Sequence, residues 1–295
     1  MGWSTLASMD SGTVLVFGGS GLLGQELLAR MRVDGARTLS PSSSEVPFDQ
    51  PDAIRHFVAE AQPDVIVNAA AYTDVDGAER EISKARQVNA IAVKTLVDLT
   101  AQYGSRLIQV STASVFDGHE GEVFAHDAPL NPLNSYNRSK AEGELYCLEG
   151  INSGLNVAVV RTYWLYGRSR GSFVDFAYRQ LAQGEPLTVV ADQWGQPTNA
   201  SDLAAGIANL VGSAGHSGVF HGVNSGAASR LQLVEAIADI GGFNSTCINP
   251  VRAADFSAPA PRPTSCVLVE EEPDSPIGQL RPWREALSDY LKMLN

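Results

Sequence analysis

Apolar and polar positions divide the chain into short apolar runs separated by longer amphipathic stretches. Thr13-Val14-Leu15-Val16-Phe17 is continuously apolar; a glycine-rich stretch follows, then Gln25 to Met31 with leucines at helical spacing. Similar runs stand at Val65-Ile66-Val67, Leu107-Ile108-Gln109-Val110 and Val157-Ala158-Val159-Val160, with a helical pattern between them that is clearest from Ser83 to Tyr103. An apolar run without alternation is a strand buried on both faces, and such strands alternating with helices predict a parallel α/β sheet covered on each side. Leu107 to Val110 is expected as its fifth strand.

After about Tyr163 the pattern loosens. Leu187-Thr188-Val189-Val190 and Val219-Phe220-His221 read as short strands, and Leu203 to Val211 and Leu231 to Ile240 as helices. A Pro- and Ala-rich loop, Ser257 to Pro263, precedes a last helix from near Pro282 to near Leu294, with Pro282 in its first turn. The organisation expected is a lead-in over residues 1–12 and a mainly nucleotide-binding domain over 13–163. Residues 164–295 would mix a smaller C-terminal substrate-binding domain with elements returning to the sheet.

Composition narrows the partners. The 295 residues are 44% hydrophobic and 18% charged, the balance of a soluble globular protein, and 33 acidic against 21 basic residues give a net charge of -12. That excess argues against nucleic acid or an anionic membrane, which select for clustered Lys and Arg, but not against a small anion held by a few arginines or a helix N-terminus. No apolar run is long enough to span a bilayer, and Met1 to Gly12 lack a signal peptide's basic start and apolar stretch. Three widely spaced cysteines, Cys147, Cys247 and Cys266, form neither a metal cluster nor a disulfide framework. A reducing cytoplasm is the expected setting.

Gly18, Gly21 and Gly24 keep a G-x-x-G-x-x-G spacing directly between the first strand and the first helix. A dinucleotide requires this: a tight turn, a backbone that can approach the pyrophosphate, and close helix–strand packing. The sheet is therefore expected to be Rossmann-type, with Gly18, Ser20, Gly21, Leu22, Leu23 and Gly24 at the cofactor. No acid follows the second strand until Glu45. This favours tolerance of a ribose 2′-phosphate, hence NADPH with NADH admissible, and Arg37 or the following serines as contacts. Asp49 is a candidate adenine contact or a plain surface turn.

Tyr136 and Lys140 lie one helical turn apart on one face. Near a nicotinamide, an ammonium there would lower the tyrosine pKa and let the phenol protonate a carbonyl oxygen, and Lys140 could also hold the nicotinamide ribose. Ser111-Thr112 ends the Leu107 run, at the edge of the sheet where ligands sit. Thr112 is a candidate second hydroxyl on that oxygen, with Ser111 behind it, although either could be a strand-end cap. Asn89, polar in an apolar helical pattern, would support a proton relay or bond a neighbouring backbone.

With these motifs assembled, the sequence resembles the dTDP-4-dehydrorhamnose reductase family, an extended branch of the short-chain dehydrogenases. The resemblance runs through Gly18 to Gly24, Pro63 to Thr73, Val75-Asp76 and Glu79, Ser111-Thr112, Val115 to Gly118, and Tyr136 with Ser139-Lys140. It continues through Arg161-Thr162 with Trp164, Tyr166-Gly167, Asp192-Gln193, Gly195 and Pro197-Thr198, and ends in Arg262-Pro263, Ser265, Leu268 and Pro282-Trp283. The resemblance implies reduction of the C4 keto group of a dTDP-activated keto-deoxysugar by NADPH or NADH, with Tyr136 protonating the oxygen, assisted by Thr112 and Lys140. It also implies that Ala69, Ala70, Ala71 and Tyr72 line the cofactor and that Trp164 and Arg262 lie along the substrate, though Trp164 would equally suit a core and Arg262 a solvated loop. Some family members dimerise with magnesium at the contact, which leaves a homodimer open; no metal cluster is read from spacing.

The chain departs from the family at one place. Where members read Ser-Thr-Asp-Tyr-Val-Phe, this sequence reads Ser111-Thr112-Ala113-Ser114-Val115-Phe116. Ala113 and Ser114 thus stand at positions that face the sugar in the family, which implies a reductase for a differently substituted sugar. Two other readings remain: a non-catalytic NADP-binding regulatory subunit, like that of methionine adenosyltransferase, and a sugar-nucleotide epimerase or dehydratase whose nicotinamide is restored each cycle.

Overall fold

A computed structural model describes residues 12–168, 171–213 and 215–294. Residues 1–11 of the expected lead-in lie outside the described residues. The first half contains β1 (Thr13–Phe17), α1 (Leu22–Val33), β2 (Arg37–Leu39), α2 (Pro51–Ala61), β3 (Val65–Asn68), α3 (Ile82–Arg86), α4 (Ala92–Tyr103), β4 (Arg106–Thr112), β5 (Val123–Phe124), α5 (Ser135–Asn152) and β6 (Val157–Thr162). The second half adds β7 (Leu165–Tyr166), α6 (Phe173–Gln183), β8 (Leu187–Val190), β9 (Trp194–Gly195), β10 (Thr198–Asn199), α7 (Ala200–Gly212) and β11 (Gly218–His221). It closes with β12 (Asn224–Ser225), β13 (Ala228–Ser229), α8 (Arg230–Gly241), β14 (Ile248–Val251), β15 (Val267–Leu268), β16 (Leu280–Pro282) and α9 (Trp283–Leu291).

Six strands form the main sheet in the order β11-β6-β4-β3-β1-β2, every pair parallel. The run Leu107 to Val110, expected as the fifth strand, is the fourth in chain order, because only β2 and β3 separate it from β1. The fully apolar strands have a partner layer on each face. Leu23, Leu27 and Met31 of α1 pack with Leu203, Ile207 and Leu210 of α7 on one side. Ile54 and Val58 of α2 pack with Val93 and Leu96 of α4 on the other. Strand order reverses between β1 and β3, so the crevice beyond their C-terminal ends is the natural ligand site.

Among the late elements, β11 joins the main sheet and α7 packs against it, while α6, α8 and α9 enclose a separate core around Tyr166, Leu181, Leu187, Leu233 and Tyr290. The last helix begins one residue later than expected, with Pro282 as its N-cap rather than inside its first turn. No helix among the described residues is long and apolar enough to cross a membrane.

Candidate active site

The glycine turn is built for close approach. Gly18 has φ +79°, and a Cβ there would lie 2.6 Å from the backbone of Ala69 and Ala70; a Cβ on Gly24 would overlap the Gly18 carbonyl. The chain thus turns tightly enough to bring the N-terminus of α1 against β1 and β3. Gly21 is the N-cap of α1 and no side chain caps that helix, so the first-turn amides are free to meet an anion. These features fit a dinucleotide pyrophosphate. Ser20 is exposed and Leu22 half-buried, whereas the Leu23 side chain belongs to the core and has only its backbone to offer.

Across the crevice, Ala69 to Tyr72 is held from both sides. The Ala69 amide donates to the Phe17 carbonyl at 3.0 Å, and the Ala70 amide to Asn68 Oδ1 at 3.0 Å. Asn89 Oδ1 accepts from the Tyr72 amide at 2.9 Å, and its Nδ2 donates to the Tyr72 carbonyl at 3.1 Å and to Ser139 Oγ at 2.9 Å. Asn89 therefore takes the backbone-bonding role rather than a relay. It sits in a π-helical turn, Gln87–Ile91, joining α3 to α4. The widened turn sets this asparagine against both the cofactor-side loop and α5.

Of the contacts offered for the ribose end, Arg37 and the serines take different places. Arg37 pairs in register with Thr13, at the N-terminal end of the sheet and about 13 Å of strand from Phe17. Ser40 replaces it as the better-placed group, because its side chain lies against Gly19. Glu45 is engaged by the Ser42 amide at 2.8 Å and hydroxyl at 2.7 Å. Asp49 occupies an exposed turn ahead of α2.

Asn134 starts α5 by accepting from the Asn137 amide at 2.8 Å, and Glu79 fastens the same end by accepting from the Ser135 amide at 2.7 Å and hydroxyl at 3.1 Å. Tyr136 and Lys140 then share a face of this helix. Lys140 Nζ donates to the Val110 carbonyl at 2.8 Å, joining α5 to β4 just before Ser111 and Thr112. Burial lowers the Lys140 pKa to about 8, opposed by the Glu144 charge. Burial also pushes the Tyr136 phenol up to about 12, opposite in direction to the lowering expected beside an ammonium. A phenol held protonated suits a proton donor.

Thr112 Oγ1 lies 2.9 Å from Ser114 Oγ and accepts from the Ser114 amide at 3.2 Å, so the two hydroxyls form a pair at the end of β4. Ser111 is not a reserve hydroxyl for the substrate, because its Oγ donates to Glu144 Oε2 at 2.5 Å in a buried setting. Ala113 is wholly buried among Val115, Phe116, Val223, Cys266 and Leu268, and so shapes the wall from behind without presenting a surface.

Beyond β6, Trp164 has φ +41°, unusual for a bulky side chain, and its ring stacks on Tyr163 with centroids 5.4 Å apart. Arg262 donates to the Ala260 carbonyl at 2.7 Å and to Asp76 Oδ1 at 3.1 Å, while Asn134 donates to the neighbouring Pro261 carbonyl at 2.8 Å. The Pro-rich loop is thus strapped over the start of the helix that carries Tyr136.

Sequence reasoning missed the buried pair behind this site. Glu144 Oε1 accepts from Arg161 Nε at 2.9 Å and Nη2 at 2.6 Å, with the side chains 0% and 1% exposed. Its signals were a carboxylate one turn beyond Lys140 and a charge ending an apolar strand.

The chain matches the family described as RmlD substrate binding domain over residues 12–295. A relative from Streptomyces antibioticus, named a probable dTDP-4,6-dihydroxy-2-methyloxan-3-one 4-ketoreductase, is 34% identical over 277 residues, 93% of each chain. The dTDP-4-dehydrorhamnose reductase of Mycolicibacterium smegmatis is 34% identical over 94% of this chain and 84% of its own. A crystal structure of dTDP-4-dehydrorhamnose reductase from Bacillus anthracis, in complex with NADP, superimposes with TM-score 0.88 at 27% identity, covering 96% of this chain and 99% of that one. With the family's model matched over residues 12–295 and a relative 34% identical over 94% of this chain, this protein belongs to the dTDP-4-dehydrorhamnose reductase family.

Proposed function

We propose that this protein reduces the C4 keto group of a dTDP-4-keto-6-deoxyhexose with NADPH. The carrying observation is the Lys140–Val110 bond, which joins the Tyr136 face of α5 to the strand end bearing Thr112, beside an uncapped glycine turn that fits a dinucleotide. When bound, the dihydronicotinamide supplies a hydride to the keto carbon. Tyr136 donates its phenolic proton to the oxygen as negative charge develops there. Thr112 donates a hydrogen bond to the same oxygen, with the adjoining Ser114 hydroxyl orienting it. Lys140 orients the nicotinamide ribose and favours the tyrosinate left after transfer.

In this reading residues 13–163 supply chiefly the cofactor side, and 164–295 the substrate side together with the returning β11 and α7. Trp164 lies along the nucleotide sugar, and Arg262, released from Asp76, meets its diphosphate. The reaction belongs in the cytoplasm, where the thiols stay reduced, and needs no nucleic acid or membrane.

Ser114 in place of an aromatic ring enlarges the sugar pocket, so the preferred sugar differs in substitution from dTDP-4-dehydrorhamnose. The test is NADPH oxidation with dTDP-4-dehydro-6-deoxyglucose, alone, after 3,5-epimerisation and after 2,3-dideoxygenation. Turnover of one modified sugar well above dTDP-4-dehydrorhamnose is expected; dTDP-4-dehydrorhamnose as best substrate by a wide margin would contradict the specificity reading.

A further inference from the structure

Among the described residues, Arg230 is a half-buried cation without an anion. It is the first residue of α8, and its guanidinium carbon lies 4.1 Å from the ring centroid of Trp164 and 4.5 Å from that of Phe173. Among the described residues its side chain has no carboxylate or carbonyl partner. Burial lowers its pKa to about 10, opposed by Tyr163, and Arg262 is a second cation whose charge acts on it. Acidic residues outnumber basic ones 33 to 21 in this chain, yet none is placed here. Holding a guanidinium away from water without a counter-charge is costly, and the cost is relieved when an anionic ligand arrives.

Position fits that role. Thr162 ends β6 and pairs in register with Thr112, and Trp164 follows two residues later. Arg230 is therefore stacked just beyond the ligand edge of the sheet, on the substrate side of Thr112. A guanidinium covered by aromatic rings keeps its N–H groups at its edge, in the fork that matches phosphate oxygens. The α8 N-terminus adds a favourable dipole for the same charge.

We propose that Arg230 is a diphosphate-binding residue of this enzyme, clamping the nucleotide's phosphates from the side opposite Arg262 and making the site selective for a nucleoside-diphosphate sugar over the same sugar without the diphosphate. The proposal rests on the dTDP-sugar reading above and adds to it a residue that acts in binding rather than in chemistry. Trp164 and Phe173, with ring centroids 4.1 and 4.5 Å from the guanidinium carbon, hold it ready.

The test is calorimetric titration of the NADP-bound protein with dTDP and with thymidine, using wild type, Arg230→Met and Arg230→Lys. Methionine keeps an apolar stem on the rings and removes the charge; lysine keeps the charge and removes the fork. Expected are a dTDP Kd raised at least about tenfold in Arg230→Met, a smaller rise in Arg230→Lys, and unchanged thymidine affinity in both. The KM for the dTDP-sugar should rise in parallel, with kcat at saturation changed less than about threefold. A dTDP Kd within twofold of wild type in Arg230→Met, or equal losses for dTDP and thymidine, would overturn the proposal. If wild type turns over a dTDP-sugar while Arg230→Met keeps its affinity, only this inference fails. If wild type neither binds dTDP nor turns over a dTDP-sugar, the substrate reading fails with it.

Discussion

Replacing Arg161 with methionine should cost this protein about 4 kcal/mol of stability. The magnitude follows from what the side chain does. Its Nε and Nη2 both donate to Glu144 Oε1, its Nη1 donates to the His126 carbonyl at 3.0 Å, and its guanidinium lies 4.9 Å from the Phe116 centroid. Methionine fills much of the volume but leaves Glu144 buried with the Ser111 hydroxyl as its one remaining side-chain donor. Breaking a buried pair from one side typically costs about 3–5 kcal/mol, because the surviving charge keeps its desolvation penalty. Urea denaturation of the ligand-free protein, followed by fluorescence and circular dichroism, measures the loss. Adding Glu144→Gln to Arg161→Met removes the stranded charge and should recover about 2 kcal/mol. A loss below about 1 kcal/mol, or a double variant less stable than Arg161→Met, would refute the reasoning. The consequence reaches catalysis, since Glu144 anchors Ser111 between the carbonyl that holds Lys140 and the hydroxyl of Thr112.

Two further predictions concern the groups around the cofactor. The Lys140 pKa of about 8 is below the value of about 10.4 expected in the unfolded chain, so the unfolded state holds that proton more tightly. The resulting penalty is full below pH 8 and fades as pH rises toward 10.4; Lys140→Met should therefore abolish turnover yet raise ligand-free stability at pH 7 by roughly 2 kcal/mol, with the gain shrinking at pH 10. Denaturation at the two pH values checks this, and a variant less stable than wild type at pH 7 would count against it. Asn89→Leu removes three hydrogen bonds that hold Tyr72 and Ser139, and should raise the NADPH Kd about tenfold by fluorescence titration. Unchanged affinity would show that the Ala69 to Tyr72 segment keeps its shape without the clamp.

The parts of this site legible in the sequence are those whose cause is local. Gly18 and Gly24 announce themselves because a side chain at either would strike neighbouring backbone, and Tyr136 and Lys140 share a face by helical spacing alone. The apolar strands are legible because both their faces are covered. What sequence reasoning misassigned depends on distant partners. Ser111 reads as a free hydroxyl until Glu144, 33 residues on, takes it. Asn89 reads equally as a relay group or a backbone clamp, and only Ser139, 50 residues away, and the Tyr72 backbone show which bonds it makes. Strand register is not legible either, and it is register that puts Arg37 beside Thr13. For Tyr136 the sequence showed the ammonium one turn away, and only the fold reveals the burial that raises the phenol's pKa.

The central claim is that a hydride leaves the cofactor for good and arrives at the sugar's C4 while Tyr136 supplies the proton. Incubation with dTDP-4-keto-6-deoxyhexose and NADPH deuterated at nicotinamide C4, with the product sugar analysed by mass spectrometry and NMR, tests it most directly. The account predicts stoichiometric NADP formation and one deuterium at C4 of the product. A sugar isomerised or dehydrated with no net cofactor consumed, or NADPH bound with the sugar left unchanged, would contradict it.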